Sequence, residues 1–224
     1  MLTVYAKRFD IEGFMDVLKK ANHEYQQLPL MQAIKEKEEY PYRVLIGTLL
    51  SSRTKDELTA VISKRLFQKA SNPEKLAQLS EQEIMKIIYP VGFYRRKAKN
   101  LKAIASLLVE KFHYIVPDSL EELLQFPGVG RKTANLVLGT AFNINAICVD
   151  THVHRISNRL GIVKTKIPAE TEQDLKKMFP EKYWIPLNPY LVSHGQAICK
   201  PISPICSKCK IHSFCQRIGV DRSR

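Results

Sequence analysis

Phe126-Pro127-Gly128-Val129-Gly130-Arg131-Lys132-Thr133-Ala134-Asn135, then an apolar run, then Val149-Asp150-Thr151-His152: this stretch decides the fold. Two glycines flank a valine in a tight turn between apolar segments. Pro117-Asp118-Ser119 starts a short helix over Leu120–Phe126, and a second helix begins at Lys132 and ends near Phe142. The arrangement predicts a helix–hairpin–helix. Gly128 and Gly130 are expected to take the positive φ values of a tight hairpin. Lacking side chains, they let a phosphate approach the N–H groups of Gly128, Val129, Gly130 and Arg131 at the next helix start.

Two residues of the stretch are candidates for chemistry. Lys132 lies in the first helical turn, where the macrodipole disfavours a cation, and a lysine amine can attack a sugar C1′ carbon and form a Schiff base. Asp150 is a good N-cap for a helix from Thr151 to Leu160 that ends at Gly161. The same carboxylate can stabilise an oxocarbenium-like sugar or move protons for the lysine. His152 and His154 read as structural or phosphate-facing.

Working outward, helices dominate and strand alternation is nearly absent, so the fold class is all-α. A short amphipathic helix runs from Ile11 to Leu18. Pro41 opens a helix over Tyr42–Leu50 that is apolar almost all round and belongs in the core. Thr54-x-x-Glu57 and Ser80-x-x-Glu83 are capping boxes, the first starting a helix that ends near Ala70. Asn72-Pro73 is a cap followed by proline at the first helical position. Pro90 and Gly92 close the Ser80 helix. The helix from Tyr94 to Phe112 carries Arg95, Arg96, Lys97, Lys99 and Lys102 in its first turns, where cations oppose the macrodipole and phosphate contacts are expected.

Charge supports the same reading. The 224 residues carry a formal net charge of +13, which points to a polyanionic partner. No apolar run is long enough to span a membrane and no signal-peptide core is present, so the expected location is intracellular, cytoplasmic or at the nucleoid if prokaryotic. A monomer is the default expectation.

Four of the five cysteines crowd the end of the chain as Cys199-x6-Cys206-x2-Cys209-x5-Cys215. In a reducing compartment such a cluster means metal rather than disulfides. A single C-x2-C pair, with all four ligands within one short loop, places an iron–sulfur cluster ahead of zinc. Lys200, Lys208 and Lys210 decorate the loop, Pro201 and Pro204 stiffen it, and Cys148 reads as a small buried hydrophobe.

Together these motifs, with Leu-Leu-Ser-Ser-x-Thr-Lys-Asp at Leu49–Asp56 and Val-Gly-Phe-Tyr at Val91–Tyr94, resemble endonuclease III, the iron–sulfur branch of the helix–hairpin–helix DNA glycosylases. The resemblance implies a two-lobed fold. A six-helix barrel would span residues 36–145, with the hairpin at about 120–142. Residues 1–35 and 146–224 would form a discontinuous lobe whose loop 199–215 binds a [4Fe–4S] cluster. It further implies double-stranded DNA with a damaged or abasic nucleotide as partner, lying across the cleft between the lobes, with Lys132 and Asp150 at its mouth. A damaged pyrimidine would be flipped out and excised, and the strand nicked by β-elimination. Lys132 would be the Schiff-base nucleophile, Asp150 its carboxylate partner, and the three loop lysines backbone contacts. Arg53 stands where the family often has a gap-filling glutamine, and Phe93 where a leucine commonly wedges into the opposite strand. The alternatives are a mismatch glycosylase for uracil, thymine or adenine, which generally lacks the hairpin lysine; a non-catalytic DNA-binding module; and a zinc-stapled basic interaction protein.

Overall fold

The structure, a computed structural model, describes residues 9–24 and 40–224, all of whose regular elements are helical. The chain divides into two compact units, Met1–Gln27 with Asn145–Arg224, and Leu28–Ile144. The anticipated barrel start at Glu36 lies outside the described residues.

The second unit is built on α2 (Tyr40–Ser51), which begins at Tyr40, two residues ahead of the expectation, and buries residues on every side, including Tyr42, Leu45, Ile46 and Leu50. That all-round burial follows from its lack of a polar face. Around it stand α3 (Asp56–Lys69), α6 (Tyr94–Glu110) and α8 (Arg131–Phe142), while α4 (Pro73–Gln78) and α5 (Glu81–Ile88) pack on α6. Four-residue α7 (Leu120–Leu123) leads into the hairpin turn and rests on α8. The Tyr42 hydroxyl donates to Ala70 O at 3.1 Å, tying α2 to the end of α3.

In the first unit, α1 (Ile11–Glu24) packs on α11 (Trp184–Ala197), and α11 on α9 (Thr151–Leu160), with α10 (Pro168–Met178) beside α9. α1 runs six residues beyond the expected stop at Leu18, because the apolar spacing continues to buried Ala21. Phe14 stacks edge-on against Phe9, Phe179 and Phe214, so chain segments far apart in sequence share one aromatic core.

Most helix starts match their sequence signals. Asn72 Oδ1 accepts from Lys75 N at 2.9 Å, and Ser119 Oγ from Glu122 N at 3.3 Å. The Ser80–Glu83 capping box is complete, with Glu83 Oε2 2.8 Å from Ser80 N. Thr54 is the exception. The helix starts at Asp56 with Lys55 at the N-cap position and no side-chain cap. The Thr54 hydroxyl instead accepts from Gly92 N at 3.1 Å and from the Lys97 ammonium at 3.2 Å.

Ser80→Ala should cost about 1 kcal/mol, measured by urea unfolding at neutral pH. The hydroxyl and N–H of Ser80 hold the Glu83 carboxyl below its ordinary 4.5. Its folded value being lowered, this contribution is complete above pH 4.5 and lost as the pH falls through that lower value, so the Ser80→Ala penalty should narrow in acid.

Candidate functional site

The hairpin turn is pinned from beneath. Phe126 and Val129 are buried, and Val129 N–H donates to Phe126 O at 3.0 Å. Val129 therefore holds the turn and does not face solvent as a ligand contact. Gly128 has φ +83°, and a Cβ there would fall 2.3 Å from Asn100 Nδ2. The expected positive φ at both glycines is met at Gly128 alone. Gly130 is extended, with φ −98° and ψ 175°, and forms the N-cap of α8 without a side-chain bond. A Cβ at Gly130 would meet nothing within 4 Å, so its lack of a side chain leaves the helix start open to approach. Arg131 and Lys132 occupy the first turn of α8, both exposed.

Arg53 and Phe93 lie together at the surface of the same unit. Phe93 is 62% exposed, which excludes a core role, and the Arg53 guanidinium sits 5.5 Å from its ring centroid. Both have left-handed backbones, φ +53° and +57°. A non-glycine residue held there costs about 1–3 kcal/mol, a strain that persists only where the surroundings fix it.

The basic first turns of α6 are divided in their use. Arg95, Arg96 and Lys99 are exposed. Lys97 is only 8% exposed and donates to Leu50 O at 2.7 Å and Ser52 O at 2.6 Å. Burial pushes its ammonium down to about 8. Lys102 donates to Leu79 O at 2.8 Å and to Ala77 O, at the C-terminal end of α4. These two cations satisfy helix-end carbonyls, so the phosphate contacts anticipated for them do not apply.

Asp150 is the N-cap of α9, its Oδ1 accepting from His152 N at 2.8 Å and Val153 N at 2.9 Å. The segment before it is anchored by buried Ile147, Cys148 and Val149, and by Asn188 Nδ2, which donates to Cys148 O at 2.9 Å. His154 Nδ1 pairs with Thr171 Oγ1 at 2.7 Å, and His152 Nδ1 with Arg155 Nη2 at 3.1 Å.

Among the described residues, no three His, Cys, Asp or Glu side chains group as a site for one metal ion. Cys199, Cys206, Cys209 and Cys215 instead line one cavity, with Arg159 and His194 in its wall. Burial pushes the Cys209 thiol up to about 11, and the neighbouring sulfurs of Cys215, Cys199 and Cys206 push in the same direction. Four thiolates around one space would be stable only with a polycation among them, which is what the donor set fits. N–H groups already point at the sulfurs. Arg159 Nη1 donates to Cys199 Sγ at 3.3 Å and Arg217 N to Cys215 Sγ at 3.4 Å. Arg159 also donates to Lys200 O and Pro201 O, both at 2.6 Å, and Arg155 to Cys199 O at 2.8 Å. These two arginines are absent from the sequence reading. Their four-residue spacing on one helix face was the available signal. Of the loop lysines, Lys208 is exposed, Lys200 donates to Gln196 O, and Lys210 lies 3.6 Å from Glu24.

A sequence profile of the HhH-GPD superfamily of base excision DNA repair proteins matches residues 46–181. Endonuclease III of Thermotoga maritima is 52% identical over 180 residues, which span 80% of this chain and 84% of that protein. The chain belongs to the endonuclease III family. Endonuclease III of Synechocystis sp. is 41% identical over 176 residues, covering 78% of this chain and 80% of that one. Among solved structures, a trapped endonuclease III–DNA covalent intermediate in its estranged-adenine complex aligns with a TM-score of 0.83 at 32% identity, covering 97% of each chain.

The two hairpin glycines should separate on substitution. Gly128→Ala should lower stability by more than about 1 kcal/mol, because alanine is strained at that φ and collides with Asn100. Gly130→Ala, which puts a poorer N-cap at an unstrained and open position, should cost no more than about 1 kcal/mol and melt within about 4 °C of the parent. It should still bind duplex DNA more weakly, measured by fluorescence anisotropy.

Proposed function

We propose that this chain removes oxidised pyrimidines from duplex DNA and cuts the strand 3′ to the resulting abasic site by β-elimination. As a member of the endonuclease III family it is a DNA glycosylase and abasic-site lyase of base excision repair. The observation that carries the finer reading is Lys132, an exposed amine in the first turn of α8, directly beyond a glycine start that no side chain caps or covers.

Chemistry on a stacked base requires the nucleotide to leave the duplex. A phosphate set against the open start of α8 would be held by backbone N–H groups and the helix dipole. The nitrogen lone pair of Lys132, its proton given up, then attacks C1′ of the extruded nucleotide, the C1′–N bond breaks, and the base leaves with its electron pair. Loss of a proton from nitrogen and opening of the sugar give an imine between Nζ and C1′. Removal of a C2′ proton expels the 3′ phosphate, and water releases the lysine. Asp150, oriented by bonds from two backbone N–H groups, stabilises the positive charge that develops on the sugar. Arg53 and Phe93, exposed and stacked, are suited to fill the space that a flipped base vacates.

The four cysteines would hold a [4Fe–4S] cluster, which supplies a rivet for a loop with little core of its own. Lys200, Lys208 and Lys210 would then present that loop to the phosphate backbone. The purified protein should absorb at about 400 nm, as thiolate-bound iron does and zinc does not. Cys209→Ser should bleach that band.

Borohydride trapping on a duplex with one thymine glycol tests the activity. The wild type should form a covalent complex, and Lys132→Ala should form none while keeping DNA affinity within about threefold, one cation among many. Asp150→Asn preserves a good N-cap and so should leave stability within about 1 kcal/mol, yet slow base release by more than about a hundredfold. Base release without any trapped complex would establish a water-using glycosylase instead.

A further inference from the structure

Lys97 is tied to both segments that carry the exposed pair. Its ammonium has three hydrogens and meets three oxygens: Leu50 O at 2.7 Å, Ser52 O at 2.6 Å and Thr54 Oγ1 at 3.2 Å. Leu50 O belongs to the last turn of α2, where carbonyls lack helical partners. Ser52 and Thr54 stand on either side of Arg53. The Thr54 hydroxyl accepts from Gly92 N at 3.1 Å as well, and its own hydrogen points to Ser52 O at 3.4 Å. Gly92 immediately precedes Phe93. A Cβ at Gly92 would lie 2.4 Å from Arg53 O, so the two segments touch backbone to backbone. The network is closed, with every proton of the ammonium and the hydroxyl given to an oxygen of residues 50–54. Lys97 therefore has nothing left to offer a phosphate.

We infer that Lys97 is a positioning residue for strand opening: its buried ammonium locks the 50–54 and 91–93 segments into one rigid tip that presents Arg53 and Phe93, already stacked on each other, to the base stack. The inference rests on the reading that these two side chains enter the duplex. Both hold left-handed backbones, a conformation that relaxes unless neighbours fix it. The neighbours that fix it are the oxygens and the amide gathered by Lys97 and Thr54. A tip set before encounter loses no loop freedom on insertion, so binding energy goes into separating the bases.

Single-turnover assays on two substrates test it, with Lys97→Met and Thr54→Val. Base release from duplex thymine glycol needs the tip. Cleavage at an abasic site in a single strand does not, because no helix has to open. Lys97→Met should slow duplex base release by more than about tenfold and single-strand cleavage by less than about threefold. Thr54→Val, which removes the hydroxyl's links to Gly92, Lys97 and Ser52 but keeps the Lys97 bonds to Leu50 O and Ser52 O, should shift the same ratio by a smaller factor, and it decides the matter if Lys97→Met does not fold. Equal losses on both substrates would reduce Lys97 to a structural residue, and unchanged duplex activity in a folded variant would overturn the inference. The fluorescence of 2-aminopurine opposite a non-cleavable abasic analogue reads insertion without chemistry. A rise with the wild type that is lost in Lys97→Met sustains the inference even if thymine glycol proves the wrong lesion. No rise with the wild type refutes it.

Discussion

Every helix start leaves amide N–H groups that must find acceptors, and the way each start is satisfied organises this protein. Where Asn72, Ser80 and Ser119 supply an oxygen, the helices simply begin. At α9 the acceptor is the side chain of Asp150, which takes bonds from the N–H groups of His152 and Val153 and stands half-buried in its unit. At α8 the N-cap is a glycine and no side chain caps the start, which leaves the dipole's positive end facing open space beside Lys132. The proposed chemistry draws on that difference between two otherwise similar helix starts.

The converse problem, unpaired carbonyls at helix ends, is handled by buried or half-buried cations. Lys97 serves the end of α2 and Lys102 the end of α4. Arg159 does comparable work outside a helix, gathering the carbonyls of Lys200 and Pro201 and a sulfur of the cysteine loop. A chain with a net charge of +13 thus spends part of its positive charge internally, and only the remainder is available to a polyanion.

Features decided within four residues were legible in the sequence. The Asn72 and Ser80 caps, the Asp150 cap, the Gly161 stop and the hairpin all follow from local patterns, and the all-helical class follows from apolar spacing. What stayed hidden depends on partners far along the chain. Thr54-x-x-Glu57 has the spacing of a capping box, but the hydroxyl is claimed by Gly92 and Lys97, which lie 38 and 43 positions away. Lys97 and Lys102 look like their exposed neighbours in the row of basic residues, because a sequence shows charge and not which carbonyls stand opposite. Gly128 and Gly130 are told apart for a similar reason: Asn100, packed against the turn, excludes a side chain at Gly128, whereas none of its neighbours does so at Gly130.

The aromatic core of the first unit joins Phe9 and Phe14 to Phe179 and Phe214. Phe214 adjoins Cys215, so the cavity that the four cysteines line abuts a core to which α1 contributes Phe14. The unit that holds α2 to α8 can collapse on its own contacts, whereas the cysteine loop packs on a core that also needs α1, far earlier in the sequence. A chain interrupted before Cys199 would keep the hairpin helix with Lys132, but not the cavity that the four cysteines line.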